Sequence, residues 1–554
     1  MITAMATDTG DLFGQRPLAR FVMIATLFAA AFVVRLYRID QPLLDFHPIR
    51  QYRTAILARV YYYQGAESIP QWKKELLASY KERIPLLEPP IGEIVTAWIW
   101  RIAGGEYLWL PRIFSCIYWL IGGIFLYLIA CRLISPSAAV FSTLFYLFWP
   151  YNLFIGRSIQ PEAMLVMLYV CSVFLILRYY DRPTVTRLVP AAIAAGCAIL
   201  IKPYIIFPIY VAFISVGIFK QGLAGFVMSP KSILFVIVSL LPGGAYYGHS
   251  LLASNYLARR GGIQFVPNLL LTGQFWKSWL AMIGHTTGIV ALITAMAGTF
   301  FCLKGVARAL LAGLWAGYIV FGIVFNNAIH THDYYQVPLI PVVYIGLGPI
   351  AVLLTSHLRR LSILWCRGLA GIGILVLVIL GVMALKIRPD QFFNMDPRLK
   401  DNLEIVCNFI GVNPHTVKRI NADFTSEAKT AEQIGEFVKH STKTMLLAGG
   451  HVRALMYHGW FSSVPWPSEY DLRTDKLMGG RQITALERFN SKYARHSPQY
   501  FIVADLEDFA RQKDLKQLLT TRFAVIAESN TYLIFDLTEE TGPETPNNSS
   551  SADG

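Results

Sequence analysis

Asp45-Phe46-His47-Pro48-Ile49-Arg50-Gln51-Tyr52-Arg53 is a polar, charged run lying directly behind an apolar one that ends near Tyr37. A carboxylate, an imidazole and two guanidiniums at the mouth of a membrane span carry a desolvation cost that packing alone does not offset. What precedes the run reads as a membrane helix, and what it opens reads as a loop that carries chemistry. The composition agrees: the 554 residues are 55% hydrophobic and 15% charged, with a mean hydropathy of +0.46. Soluble domains carry roughly 25% charged residues. The chain is polytopic.

The formal net charge of +14 does not point to nucleic acid. The basic residues sit mostly in short loops between apolar runs, where the positive-inside bias puts them. The first apolar run, Phe21 to Val34, continues into Arg35 and Tyr37 without a small-residue cleavage site, so it reads as an uncleaved first span. Cys116, Cys131, Cys171, Cys197, Cys302 and Cys366 fall in or beside apolar runs, and Cys407 stands alone further on. Neither a disulfide framework nor a zinc spacing follows from that distribution.

A bilayer asks for about 20 apolar residues per helix, fewer where protein shields the ends. Spans are expected near 20–37, 108–131, 138–155, 161–178, 188–201, 203–219, 232–248, 278–303, 306–325, 335–356 and 364–386. About eleven crossings place the termini on opposite sides. One set of loops holds Arg16, Arg20, Arg132, Arg178, Arg182, Arg187 and further cations up to Arg367, whereas the short loops opposite hold Arg157, Lys202, Arg259, Arg260 and Lys277. The N-terminus is therefore expected in the cytoplasm, and the stretch after the last span outside it. The tight pair 188–201 and 203–219 decides this threading, since a single kinked span there inverts everything that follows.

The first outer loop, 38–107, holds two expected helices. One, over 48–63, places Ile49, Tyr52, Ile56, Val60 and Tyr63 on one face, as a helix lying in the interface plane does. The other follows Glu88-Pro89-Pro90 and carries Ile91, Val95, Trp98 and Trp100. After Lys386 the chain turns polar and alternates helix with strand, which predicts a soluble α/β domain over 389–538 behind a membrane domain over 1–388. Strands are expected at 444–448, 500–504, 523–527 and 532–536, and helices at 431–439, 452–459 and 513–521. The tail, 539–554, has a disordered composition. Gly449-Gly450 before His451 is read as a turn and not as a phosphate loop.

On this threading Asp45, Glu162, Lys202 and the cluster His330-Thr331-His332-Asp333-Tyr334-Tyr335 emerge on one side. Each residue has a plainer reading. Asp45 suits a helix cap before Pro48, Glu162 suits a first-turn charge, and Lys202 suits snorkelling to the interface. Tyr334 and Tyr335 also suit an aromatic belt. Arg50 and Arg53, on the helix after Asp45, are the preferred partners of phosphate. His-x-His-Asp is too sparse for a zinc site and suits phosphate or sugar contacts better. No cofactor is implied, and a divalent metal requirement stays open.

These residues resemble the lipid-sugar-dependent GT-C glycosyltransferases, in the branch of protein O-mannosyltransferases and the lipid A aminoarabinose transferase. The resemblance rests on an acid after the first span (Asp45), a second acid in the next outer loop (Glu162, within Arg157-Ser158-Ile159-Gln160-Pro161-Glu162), the first-loop motif Glu88-Pro89-Pro90-Ile91, and the plan of many spans with a soluble outer domain. It implies a polytopic α-helical membrane fold of GT-C type. It also implies Asp45 and Glu162 as catalytic acids, Asp45 the acceptor-activating base and Glu162 its support. His47, Arg50, Arg53, Glu88, Arg157, Gln160, Lys202, His330, His332, Asp333, Tyr334 and Tyr335 are expected to bind substrate. The usual acidic pair after the first span is reduced here to Asp45 followed by Phe46, and Glu88 replaces the basic residue that some relatives place before the Pro-Pro motif. Donor phosphate then relies on Arg50, Arg53 or Lys202.

Nucleotide sugars are made inside the cell, so a transferase working outside needs a donor already carried across on lipid. A polyprenyl-phosphate sugar fits, with a lipid, glycan or protein acceptor and the bilayer as the other partners. The expected setting is the plasma membrane, the inner membrane in a bacterium. The alternatives are another lipid-linked GT-C activity, such as a ligase or oligosaccharide transferase, and a secondary transporter. Transporters place charges at the midplane in repeated halves, which this chain does not show.

Overall fold

Proline sets where many of the helices begin. Pro17, Pro48, Pro136 and Pro230 each occupy the first residue of a helix, where the missing N–H costs nothing and the fixed φ is already helical. The computed structural model describes residues 17–86, 88–253, 264–358, 411, 422–477 and 481–540. By contact the chain divides into two units: Met1–Asp40, Leu86–Val95 and Tyr107–Ala422 in one, and Gln41–Pro85, Thr96–Glu106 and Asp423–Gly554 in the other.

The first unit is helical and apolar. Among the described residues six helices are long and apolar enough to cross a membrane: Pro17–Leu36, Trp109–Leu133, Glu162–Asp181, Pro203–Val227, Pro230–Leu252 and Gly305–Val324. Shorter apolar helices cover Pro136–Phe148, Val185–Ile201 and Leu339–Leu354. The chain is a multi-pass membrane protein. Each of the first ten expected spans falls on one of these helices or on the bent pair below, and 364–386 lies outside the described residues.

Two of those spans are broken. Trp149-Pro150 separates Pro136–Phe148 from a short helix, Pro150–Ile155. The expected span over 278–303 is two helices, Gly273–Thr286 and Ile289–Cys302, bent by 89° at Gly288, whose φ of 78° lies in the left-handed region that favours glycine.

The tight pair proves to be two separate crossings. Tyr247 donates from its hydroxyl to Leu200 O at 3.0 Å, and Lys231 Nζ donates to Pro183 O at 2.5 Å, so Pro230–Ala253 runs parallel to Val185–Ile201. Tyr210 meets Ser239 at 2.7 Å and Phe213 stacks on Phe235 at 4.0 Å, so Ile206–Val227 runs antiparallel to Pro230–Ala253. The direction therefore reverses at Lys202. Small residues let neighbouring helices approach: a Cβ on Gly317 would stand 2.5 Å from Pro208 Cα.

The second unit is built from three stretches of chain and not only from the residues after the last span. Its sheet has the order β2-β1-β3-β5-β4, with β1 Thr444–Leu447, β2 Ser463–Pro465, β3 Tyr500–Val503, β4 Phe523–Glu528 and β5 Leu533–Glu540. β1 pairs in parallel with β2 and β3, whereas β5 pairs antiparallel with β3 and β4. Met445, Leu447, Phe501, Val503 and Phe535 bury one face against Phe489, Leu515 and Leu519. β5 carries the chain through Glu540, two residues into the expected disordered tail; 541–554 lies outside the described residues.

The first-loop helix Pro48–Tyr62 belongs to this unit, and it is buried beyond the one face that its apolar stripe marks. Nine consecutive residues, Gln51 to Arg59, are buried. The reason is a partner distant in sequence. Arg59 Nη1 donates to Tyr457 O at 2.7 Å, Arg453 Nη1 donates to Ile49 O at 2.9 Å, and Tyr52 Oη meets His458 Nε2 at 2.7 Å. The Arg59 guanidinium lies 3.7 Å from the centres of both the Tyr457 and Trp460 rings and 2.7 Å from Glu106 Oε2, a cation–π sandwich closed by an ion pair.

Candidate functional site

In the second unit the quoted stretch makes a buried turn into a helix. His47, and not Asp45, is the residue before the first helical turn; it sits at φ 41° and its side chain caps nothing. Asp45 is buried, with 4% exposure, so it is not a solvated loop acid. Gln51, one turn into the helix, donates from Nε2 to Asp45 Oδ1 at 3.4 Å and to the Phe46 carbonyl. The amide holds both the carboxylate and the backbone beside it. Arg53 is buried and donates to Pro85 O at 2.9 Å, while Arg50 is half-buried.

In the first unit three expected residues converge. Lys202, at the break between two helices, places Nζ 2.6 Å from Glu88 Oε1 and 3.5 Å from Glu162 Oε1. Lys202 is 3% exposed and Glu162 fully buried. The ammonium therefore does not snorkel; it neutralises two carboxylates from separate stretches of chain. Glu162 is the first residue of Glu162–Asp181, where the helix dipole also favours negative charge.

Around this triad lie aromatic and acidic neighbours. Tyr204, two residues beyond Lys202, stacks on Phe321 at 4.6 Å and meets Tyr335 at 5.4 Å. Tyr151 is close enough to feel the Glu162 and Asp333 carboxylates and the Tyr204 and Tyr334 phenols. Glu88, Glu162, Lys202, Asp333, Tyr334 and Tyr335 thus share one end of the apolar helices. Tyr151 and Tyr204 were not anticipated from the sequence, although Tyr204 directly follows the Lys202-Pro203 break.

The other expected residues have different surroundings. Arg157 donates to Tyr37 O at 2.7 Å and to Arg38 O at 3.3 Å, and Arg112 donates to Ile39 O at 3.0 Å. These guanidiniums satisfy carbonyls at the end of the first helix. His330 Nδ1 meets Asn326 O at 2.6 Å, and the exposed His332 meets Thr331 Oγ1 at 2.7 Å. Gln160 is buried. Among the described residues no group of three His, Cys, Asp or Glu side chains is placed to hold a metal ion.

Residues 87–243 match the family described as dolichyl-phosphate-mannose-protein mannosyltransferase. By structure the chain is similar to ArnT from Cupriavidus metallidurans in the apo state, with 16% identity, a TM-score of 0.57, and 93% of this chain and 98% of that one covered. It is similar to the same protein bound to undecaprenyl phosphate at 17% identity and a TM-score of 0.55, with the same coverage. The archaeal oligosaccharyltransferase AglB from Archaeoglobus fulgidus, in complex with an inhibitory peptide and a dolichol-phosphate, aligns at 12% identity and a TM-score of 0.48 over 93% of this chain and 74% of that one. No match to the sequence is found among curated proteins. The fold is the GT-C membrane fold that the sequence resemblance implies.

Proposed function

We propose that this chain is an integral-membrane glycosyltransferase that moves a sugar from a polyprenyl-phosphate donor to an acceptor hydroxyl or amine, with inversion, on the extracytoplasmic face. The observation that carries the reading is Asp45: a buried carboxylate, steadied by Gln51, directly after the first apolar helix of a GT-C fold. The partial match to a mannosyltransferase family and the likeness to a fold that holds undecaprenyl phosphate support the donor class.

In this reading the acceptor proton passes to Asp45, the acceptor atom bonds to the anomeric carbon, and the bond from that carbon to the phosphate oxygen breaks. A positioned general base contributes about 10² to 10⁴-fold. Arg50 and Arg53 stabilise charge on the departing phosphate, and Glu162 is the second acid, on the acceptor side. Lipid, glycan and protein acceptors fit equally. The loop charges support a cytoplasmic N-terminus and an outer location for 423–540, which a topology reporter fused after Ala504 checks.

The test is Asp45→Asn, which keeps the acceptor atom that Gln51 contacts. Transfer should fall by about 10² to 10⁴-fold while expression and thermal unfolding in detergent stay as in the wild type. Undiminished transfer would overturn the assignment. Mass spectrometry of lipid-linked sugars and surface glycans in cells lacking the protein should show a polyprenyl-phosphate sugar accumulating as the donor and a glycan lost as the product.

A further inference from the structure

The turn between Pro150–Ile155 and Glu162–Asp181 is buried almost throughout. Irregular backbone is normally exposed, because buried polar groups need partners, and this turn supplies its own. Gly156 N donates to Asn152 O at 3.2 Å, Arg157 N to Phe154 O at 3.2 Å, and Gln160 N to Ser158 O at 2.8 Å. Ser158 Oγ donates to Ile155 O at 3.0 Å, and Arg157 donates to the carbonyls at the end of the first helix.

Gln160 breaks the pattern. It is 6% exposed, and neither its Nε2 nor its Oε1 has a hydrogen-bond partner. A buried amide with both ends unsatisfied is unfavourable in the resting protein. Such local costs persist where a bound group repays them.

The chemistry of the missing complement is specific. An amide offers donors on one atom and an acceptor on the other. A phosphate group only accepts, so it would satisfy Nε2 and leave Oε1 bare. Hydroxyls on neighbouring carbons both donate and accept, and they match the amide edge.

We infer that Gln160 reads a hydroxyl pair on the sugar of the lipid-linked donor, as a specificity-determining residue. This rests on the transferase reading above and deepens it. Sites that hydrogen-bond a substrate hydroxyl discriminate strongly against analogues lacking it, because their own polar groups are then left bare.

The test uses Gln160→Met, of similar length and apolar, and Gln160→Glu, in the full chain in detergent. The probes are undecaprenyl phosphate and the polyprenyl-phosphate sugar extracted from cells lacking the protein. Gln160→Met should leave the melting temperature without ligand unchanged or higher, keep the shift given by undecaprenyl phosphate, and lose most of the additional shift given by the sugar-bearing carrier. Its KM for donor should rise at least 10-fold with KM for acceptor unchanged, and Gln160→Glu, which keeps an acceptor, should recover part of that. A lower melting temperature without ligand would assign Gln160 a structural role and overturn the proposal. So would loss of the shift with undecaprenyl phosphate alone, or a change confined to the acceptor. If the wild type transfers no sugar, the transferase reading fails; if it transfers and Gln160→Met matches it, only the present inference fails.

Discussion

Lys202 Nζ lies 2.6 Å from Glu88 Oε1, and the same ammonium reaches Glu162 at 3.5 Å, so one buried cation neutralises two carboxylates contributed from 40 and 114 positions away in the sequence. Removing one partner of a buried ion pair costs about 3 to 5 kcal/mol, because the other charge stays desolvated. Lys202→Met should therefore lower the melting temperature sharply, and Lys202→Met combined with Glu88→Gln and Glu162→Gln should recover most of the loss. A single Lys202→Met variant that melts like the wild type would show that the triad is not coupled. Thermal unfolding of the three proteins in one detergent decides the point.

Because Lys202 is held by carboxylates, the proposed function leaves the donor phosphate to Arg50 and Arg53. These two differ in their surroundings: Arg53 is buried and donates to Pro85 O at 2.9 Å, and Arg50 is half-buried. Arg50→Ala should weaken binding of undecaprenyl phosphate by about 10- to 100-fold, the range of one charged hydrogen bond, with little effect on unfolding. Arg53→Ala should weaken it similarly and also destabilise the protein. Unchanged affinity in both variants would remove the phosphate from this helix.

His458 links stability to pH. Burial, with the Arg59 charge adding to it, lowers its pKa from 6.5 to about 4, so the folded protein holds it neutral against the Tyr52 hydroxyl, which in turn accepts from Leu43 N at 3.0 Å. The folded pKa is the depressed one for a base, so the unfolded chain binds more protons between these values. The stabilisation is complete above pH 6.5 and is lost as pH falls toward about 4, by at most about 3 kcal/mol. Hydrogen exchange across Val452–Gly459 should accelerate as pH is lowered through that window after correction for intrinsic rates, and His458→Gln should flatten the response. An equally steep response in His458→Gln would assign the acid sensitivity to other groups.

Much of this was legible in the sequence, for physical reasons that also mark where reading stopped. Apolar length located the spans, and proline located helix starts such as Pro48 and the one after Pro90. The full burial of the helix over 48–62 had no local signal, because an apolar stripe reveals one burying face, whereas Arg59 and Tyr52 meet residues some 400 positions later. The helices Glu469–Leu477, Ala485–His496 and Leu506–Arg511 went unread because they are short and polar. One of them had a usable signal: Thr484 and Glu487 form a capping box, the Thr-x-x-Glu pattern that marks a helix start. The acids Asp45 and Glu162 stood out by their cost near a membrane, but the partner that Lys202 finds in Glu88 is a tertiary fact with no local trace.

The turn that carries Asp333 and Tyr334 is held from behind by a buried chain of hydrogen bonds. Trp279 Nε1 donates to Tyr318 Oη at 2.8 Å, the Tyr318 hydroxyl donates to Gln336 Oε1, and Gln336 Nε2 donates to Ile329 O at 2.7 Å. Gln336→Leu strands the Tyr318 hydroxyl and the Ile329 carbonyl, at about 1 to 3 kcal/mol for each buried group left bare, and Tyr318→Phe strands Trp279 Nε1 and Gln336 Oε1. Because both substitutions break the same bond, the double variant should lose less stability than the two single losses added together, with a coupling of about 0.5 to 3 kcal/mol. The single variants should also lower transfer, since Asp333 and Tyr334 precede Gln336 by three and two residues on the same turn. Additive losses in a thermal double-mutant cycle would show that the chain does not act as a unit, and full transfer in Gln336→Leu would detach this turn from the chemistry.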